Sequence, residues 1–179
     1  MTSLLSLTTL AAATAFVSLA SLAAAQNVPE PPRLELAFEL RAEVAAPVDV
    51  GETPKGLRRI IDILGGEFDG RIKGRLVPGG ADWQLIQKDG FTDLDTRYLL
   101  ETDDGHLIYV TNIGIRHATP EVMARLNAGE EVDQSDIYFR AIPKFETSAP
   151  ELQWLTRSIF ISTGERYPRG VIIRYWRVL

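Results

Sequence analysis

The chain has 179 residues but no cysteine, only two histidines and only two methionines. Without cysteine there is no disulfide framework, no thiolate-bound zinc or iron–sulfur cluster, and no thiol nucleophile. His106 and His117 stand apart from any metal-ligand spacing, and no H-E-x-x-H is present. The G-x-S-x-G elbow, the phosphate loop and the G-x-G-x-x-G fingerprint are missing too. No metal and no cofactor is therefore expected. Basic residues are also short. Lys and Arg total 19 against 24 Asp and Glu, a formal net charge of −5. A nucleic-acid or anionic-membrane partner would want a basic face, so neither is expected.

Charge is absent from residues 1–29, and the run 4–25 consists of Leu, Ala, Ser, Thr, Val and Phe. It ends in Ala23-Ala24-Ala25-Gln26, with small residues at both A-x-A positions. That pattern predicts a secretory signal peptide over residues 1–25, cut after Ala25, and a periplasmic or secreted protein. An uncleaved anchor is the other reading, since about 20 apolar residues span a bilayer. Ser and Thr interrupt the run and favour cleavage, after which no stable membrane insertion is expected. Residues 26–32 (QNVPEPP) read as a Pro-rich linker, and residues 33–179 as a single domain that can self-associate.

Residues 34–44 alternate: Leu34, Leu36, Phe38, Leu40, Ala42 and Val44 share one face, with Glu35, Glu39, Arg41 and Glu43 on the other. Period two predicts a half-buried strand. Further strands are predicted over 57–64, 68–77, 83–87, 94–101, 106–113, 137–145, 154–162 and 171–178. Gly- and Asp-rich turn clusters separate them, at 65–66, 78–80, 89–90, 103–105 and 164–170. One helix is predicted over 119–128, with Thr119 as N-cap, Pro120 at its first position and Gly129 as its stop. It reads as a lid or plug packed on the strands. Such a pattern predicts an all-β antiparallel sandwich or barrel.

Candidate site residues come from three places. In the hairpin 94–113, a two-residue Asp104-Gly105 turn would set Tyr98 against Thr111, Leu100 against Tyr109 and Arg97 against Asn112. Arg97 then lies among apolar residues and wants an anion, either a ligand or a structural partner such as Asp95. In Gly79-Gly80-Ala81-Asp82-Trp83, Asp82 would act as an acid/base or close a turn, and Trp83 would wall a ligand or fill the core. In 138–146, Tyr138, Arg140, Ile142, Lys144 and Glu146 share a face that either reaches a barrel mouth or carries a surface ion network. Pro143 removes a ladder donor and predicts an edge or bulged strand.

The segments Pro78-Gly79-Gly80-Ala81-Asp82-Trp83, Leu94-Asp95-Thr96-Arg97-Tyr98, Asp104-Gly105, Tyr138-Phe139-Arg140, Phe145-Glu146-Thr147 and Trp154-Leu155 resemble the domain of unknown function 3237 family. The resemblance implies a small antiparallel β-barrel and carries no established activity. The expectation is a small-molecule-binding barrel whose ligand is aromatic or acidic. Trp83, Arg97, Tyr98, Tyr109, Arg116, Arg140 and Trp154 would bind it. The alternative is a cofactor-free isomerase, lyase or cyclase in which Asp82 or Glu146 moves a proton. A barrel filled solid with Phe and Leu would remove both.

Overall fold

A computed structural model describes residues 30–167 and 170–179. The predicted signal peptide and most of the linker lie outside the described residues.

Strand β1 (Leu34–Val44) has the predicted bounds. A bulge between Leu36 and Phe38 shifts its alternation, so Leu34 and Leu36 lie exposed while Phe38, Leu40 and Ala42 are buried. The other strands are β2 (Val48–Thr53), β3 (Gly56–Gly70), β4 (Gly74–Ile86), β5 (Thr92–Thr102), β6 (Leu107–His117), β7 (Tyr138–Glu146), β8 (Phe160–Tyr167) and β9 (Gly170–Val178). Every pairing is antiparallel, in the order β1-β9-β8-β7-β6-β5-β4-β3, and β1 also pairs with β3. That last pairing closes an eight-stranded barrel, which leaves β2 as a flap on the outer half of β3.

Closure depends on glycines that the sequence presents as turns. Gly65-Gly66 and Pro78-Gly79-Gly80 do not end strands; they bend the 15-residue β3 and the 13-residue β4, and both strands shift register there. The bend lets one half of β3 pair with β1 and the other with β2. Residues 154–162 are not one strand either. Gln153–Thr156 form a short helix, α2, and β8 begins only at Phe160. Pro143 lies in the part of β7 that has no β8 partner, since that ladder holds only Arg140–Thr163 and Ala141–Ser162. Its missing N–H therefore interrupts nothing on that side.

Helix α1 (Pro120–Asn127) forms as its caps require. Thr119 Oγ1 accepts from the Val122 N–H, and Gly129 follows at φ +79°. Met123 and Leu126 bury against the barrel at the end where β6 leaves and β7 returns.

The two ends of the barrel differ. At the β5–β6 hairpin end, Phe38, Phe68, Phe145, Phe160 and Tyr175 fill the centre, with Phe38 stacked on Tyr175 at 4.4 Å between ring centroids. At the other end the inward side chains include Asp82, Gln84, Asn112 and Arg116, and the interior is hollow.

Candidate functional site

The hollow end is a cavity of about 520 Å³, open at one mouth. That volume suits one drug-sized molecule. Leu40, Ala42, Ile63, Leu76, Ala141 and Ile173 give it apolar walls. Its polar groups come chiefly from three adjacent strands. Asp82 and Gln84 project from β4, Thr96 and Tyr98 from β5, and Asn112 and Arg116 from β6. Cross-strand register sets the arrangement: Asp82 pairs with Thr96 and Thr96 with Asn112, so one row crosses all three strands. Arg166 and Tyr167 stand at the end of β8 nearest the mouth.

Asp82 is held from both sides. Gln84 Nε2 donates to Oδ2 at 2.6 Å, and Thr96 Oγ1 donates to Oδ1 at 2.8 Å. Burial nevertheless raises its pKa above the ordinary carboxylate value; those two bonds and the charge of Arg116 pull the other way. Arg116 is only 4% exposed. Burial, and then repulsion from Arg166, pull its pKa down to about 10, so it stays a cation at neutral pH. Arg166 is also shifted down, by burial and then by Arg59, whose own guanidinium is engaged by Asp49 at 2.6 Å.

Two buried side-chain atoms among the described residues have no hydrogen-bond partner, Arg116 Nε and Gln84 Oε1. One is a donor and the other an acceptor, and both residues line this cavity. Buried polar atoms are nearly always paired, so these two are exceptions, both shut away from solvent on residues that line the hollow by their other atoms. At the floor, Tyr98 and Tyr175 share a hydroxyl–hydroxyl bond, and Ser162 Oγ donates to Asn112 Oδ1 at 3.2 Å.

The family model for "Protein of unknown function (DUF3237)" matches residues 32–178. The chain belongs to this family. The chain is 42% identical over 143 residues to the UPF0311 protein RPA1785 of Rhodopseudomonas palustris, an alignment covering 79% of this chain and 94% of that one. The crystal structure of RPA1785, a conserved protein of unknown function, superposes with a TM-score of 0.79 at 39% identity, over 84% of this chain and 99% of that one. A β-barrel like protein of Acinetobacter baumannii gives a TM-score of 0.75 at 39% identity, over 86% and 100%. An enzyme from Penicillium herquei shares the fold alone, at a TM-score of 0.63 and 21% identity over 84% and 97%.

In this DUF3237 barrel, three of the predicted site residues meet at the cavity: Asp82, Tyr98 and Arg116. The rest lie elsewhere. Trp83, next to Asp82 on a strand, points outward and is 37% exposed. Arg97 is on the outer face, paired with Asp95 at 3.0 and 3.1 Å, the structural partner that the sequence offers it. Tyr109 is exposed beside it. Arg140 and Glu146 share the outer face of β7, with Arg140 over the Tyr138 ring. Trp154 packs on Phe160 beneath the Arg71 guanidinium and does not line the cavity.

The hairpin explains two of these corrections. Its loop has three residues, with Gly105 at φ +82°, so the pairs are Tyr98–Val110, Leu99–Tyr109 and Arg97–Thr111. The register slips by one from the predicted pairing. A one-residue slip moves a strand's whole side-chain set to the other face. Asn112 thereby comes inside with Tyr98, and Tyr109 goes outside with Arg97. Gln84, Thr96, Asn112 and Arg166 are site residues that the sequence does not single out. The available signal is the spacing of Asp82 and Gln84, two polar residues two apart on a strand with glycines just before it.

Replacing Asp82 with asparagine is expected to stabilise the protein at neutral pH. The asparagine carbonyl still accepts from Thr96, and a turn of the Gln84 amide lets the orphaned Oε1 accept from the new NH₂. The number of hydrogen bonds is kept, and a gain of about 1 kcal/mol is expected from removing a buried charge. That raises Tm by about 2–4 °C for a domain of this size. Asp82's folded-state pKa is raised, so its own contribution is best below the unfolded value near 3.9 and is lost as pH rises. The advantage of Asp82→Asn should therefore shrink as pH falls towards about 4. Melting curves of both proteins from neutral to acid pH check this; an advantage that grows in acid contradicts it.

Proposed function

We propose that this protein is an exported barrel that binds one small, largely apolar molecule carrying an anionic or carbonyl oxygen. The observation that carries the reading is the buried, unpaired Arg116 guanidinium in a hollow with apolar walls. Burying a cation costs several kcal/mol, and no carboxylate among the described residues forms an ion pair with it. A ligand oxygen in the hollow would meet the guanidinium with a charge-assisted hydrogen bond. Arg166 and Arg59 add positive potential nearby.

Export is supported by the uncharged segment 1–29, which precedes the family match at residue 32. It means that the ligand is met outside the cytoplasm. No helix among the described residues is long and apolar enough to cross a membrane.

Native mass spectrometry of protein purified from its host tests both parts in one spectrum. Expected are a polypeptide mass beginning at Gln26 and a satellite peak heavier by one small molecule, which is absent after denaturation. An uncut chain overturns the export reading. A single apo peak that stays single when 2-naphthoate is added overturns the binding reading.

A further inference from the structure

We propose that the cavity catalyses proton transfer on an enolisable, largely apolar ketone, with Asp82 as the base and Arg116 as the holder of the enolate oxygen. The proposal rests on the binding reading above and names its substrate class and reaction.

The geometry comes from two features. Asp82 and Arg116 face one cavity and feel each other's charge, yet they form no contact ion pair. A direct pair would quench both groups. Held apart, they leave room for a substrate whose C–H meets the carboxylate while its oxygen meets the guanidinium. Second, Asp82 lines the hollow and is oriented by single hydrogen bonds to each oxygen, from Gln84 and Thr96, which leaves each oxygen with acceptor capacity to spare.

The step balances without a co-reactant. Asp82 takes a proton from the carbon next to the carbonyl. The C–H electron pair becomes a C=C bond, and the carbonyl π pair moves onto oxygen. Arg116 donates a hydrogen bond to that oxyanion where its charge develops. The Asp82 carboxylic acid exchanges its proton with solvent through the open mouth and then delivers a proton, to the same carbon or to the far end of a conjugated enolate. The second outcome is a double-bond isomerisation.

The test uses 2-tetralone in deuterated buffer at neutral pH, with two readouts from one NMR sample. Saturation transfer from the protein reports binding, and loss of the C1 proton signal reports exchange. Expected is saturation transfer together with exchange well above the buffer rate. In Asp82→Asn the protein-dependent exchange should fall by about 100-fold or more, the usual range for a general base, with saturation transfer retained. Arg97→Ala, on the outer face, should change neither signal.

Each other result is decisive. Saturation transfer with exchange at the buffer rate overturns the proton transfer and leaves the binding reading standing. Exchange that survives Asp82→Asn removes Asp82 as the base. An absence of saturation transfer removes the binding reading and the chemistry with it. A melting curve on each variant separates a lost base from a lost fold.

Discussion

Arg116→Met is expected to make the protein more stable and, in the same molecule, to take its ligand affinity away. Methionine keeps much of the aliphatic stem and lets it pack against the apolar wall. It removes a cation that is only 4% exposed and whose Nε has no partner. Replacing buried ionic groups by apolar ones of similar volume is often neutral or stabilising by about 1–4 kcal/mol. For a domain of this size a gain in the middle of that range raises Tm by about 5–10 °C. Affinity moves the other way. A hydrogen bond to a charged group is worth about 1.5–3 kcal/mol, so loss of about 10- to 100-fold in binding of an anionic probe follows. Opposed shifts of this kind are the mark of a group kept for function at the expense of stability. A structural arginine would give a lower Tm and unchanged binding.

Gly66→Ala is expected to damage the fold severely, although it adds a single methyl group. Gly66 lies opposite Ala42 in the β1–β3 ladder that closes the barrel. Its φ is +148°, and an added Cβ would drive into the Arg41 carbonyl oxygen and crowd the Ala42 Cα at 3.1 Å. Backbone cannot yield there as a side chain would. Strain and overpacking together amount to about 3–5 kcal/mol. Tm should fall by about 10 °C or more, or the protein should fail to accumulate. Gly79→Ala isolates the conformational part. Gly79 has φ +106° but nothing within 4 Å of the new carbon. Its loss should be about 1–2 kcal/mol. Equal losses at the two sites would mean that β1 and β3 do not approach as closely as barrel closure requires.

Those glycines also show where sequence reasoning reaches its limit. Glycine's freedom at positive φ serves a turn and a bend inside a strand equally. Gly65-Gly66 and Gly79-Gly80 therefore read as strand ends, and the pattern divides each of the two longest strands. The alternation of residues 34–44 carries more information, because a period of two over eleven residues fits a half-buried strand and little else. β1 follows it to the residue, apart from the bulge before Phe38. Helix α1 is legible because Thr119, Pro120 and Gly129 each have a specific cap role.

The site is harder for a different reason. Alternation says which residues share a face, but not whether that face meets water or a cavity. Gln84 and Thr96 line the interior and look in sequence like any surface polar residue. Arg97 and Arg140 have the same composition signal as Arg116, yet they lie outside. Only the register separates them, and register in the β5–β6 hairpin turns on whether the loop holds two residues or three. Asp82 is legible because the glycines just before it set it apart from the other acids.

Calorimetric titration of the purified barrel with 2-naphthoate, run alongside Arg116→Met and Arg97→Ala, tests most directly whether the hollow is a binding site organised by one guanidinium. Expected is one molecule bound per chain in the parent and in Arg97→Ala, and affinity weaker by about tenfold or more in Arg116→Met. Equal affinity in all three proteins, or no heat of binding in any of them, would contradict it.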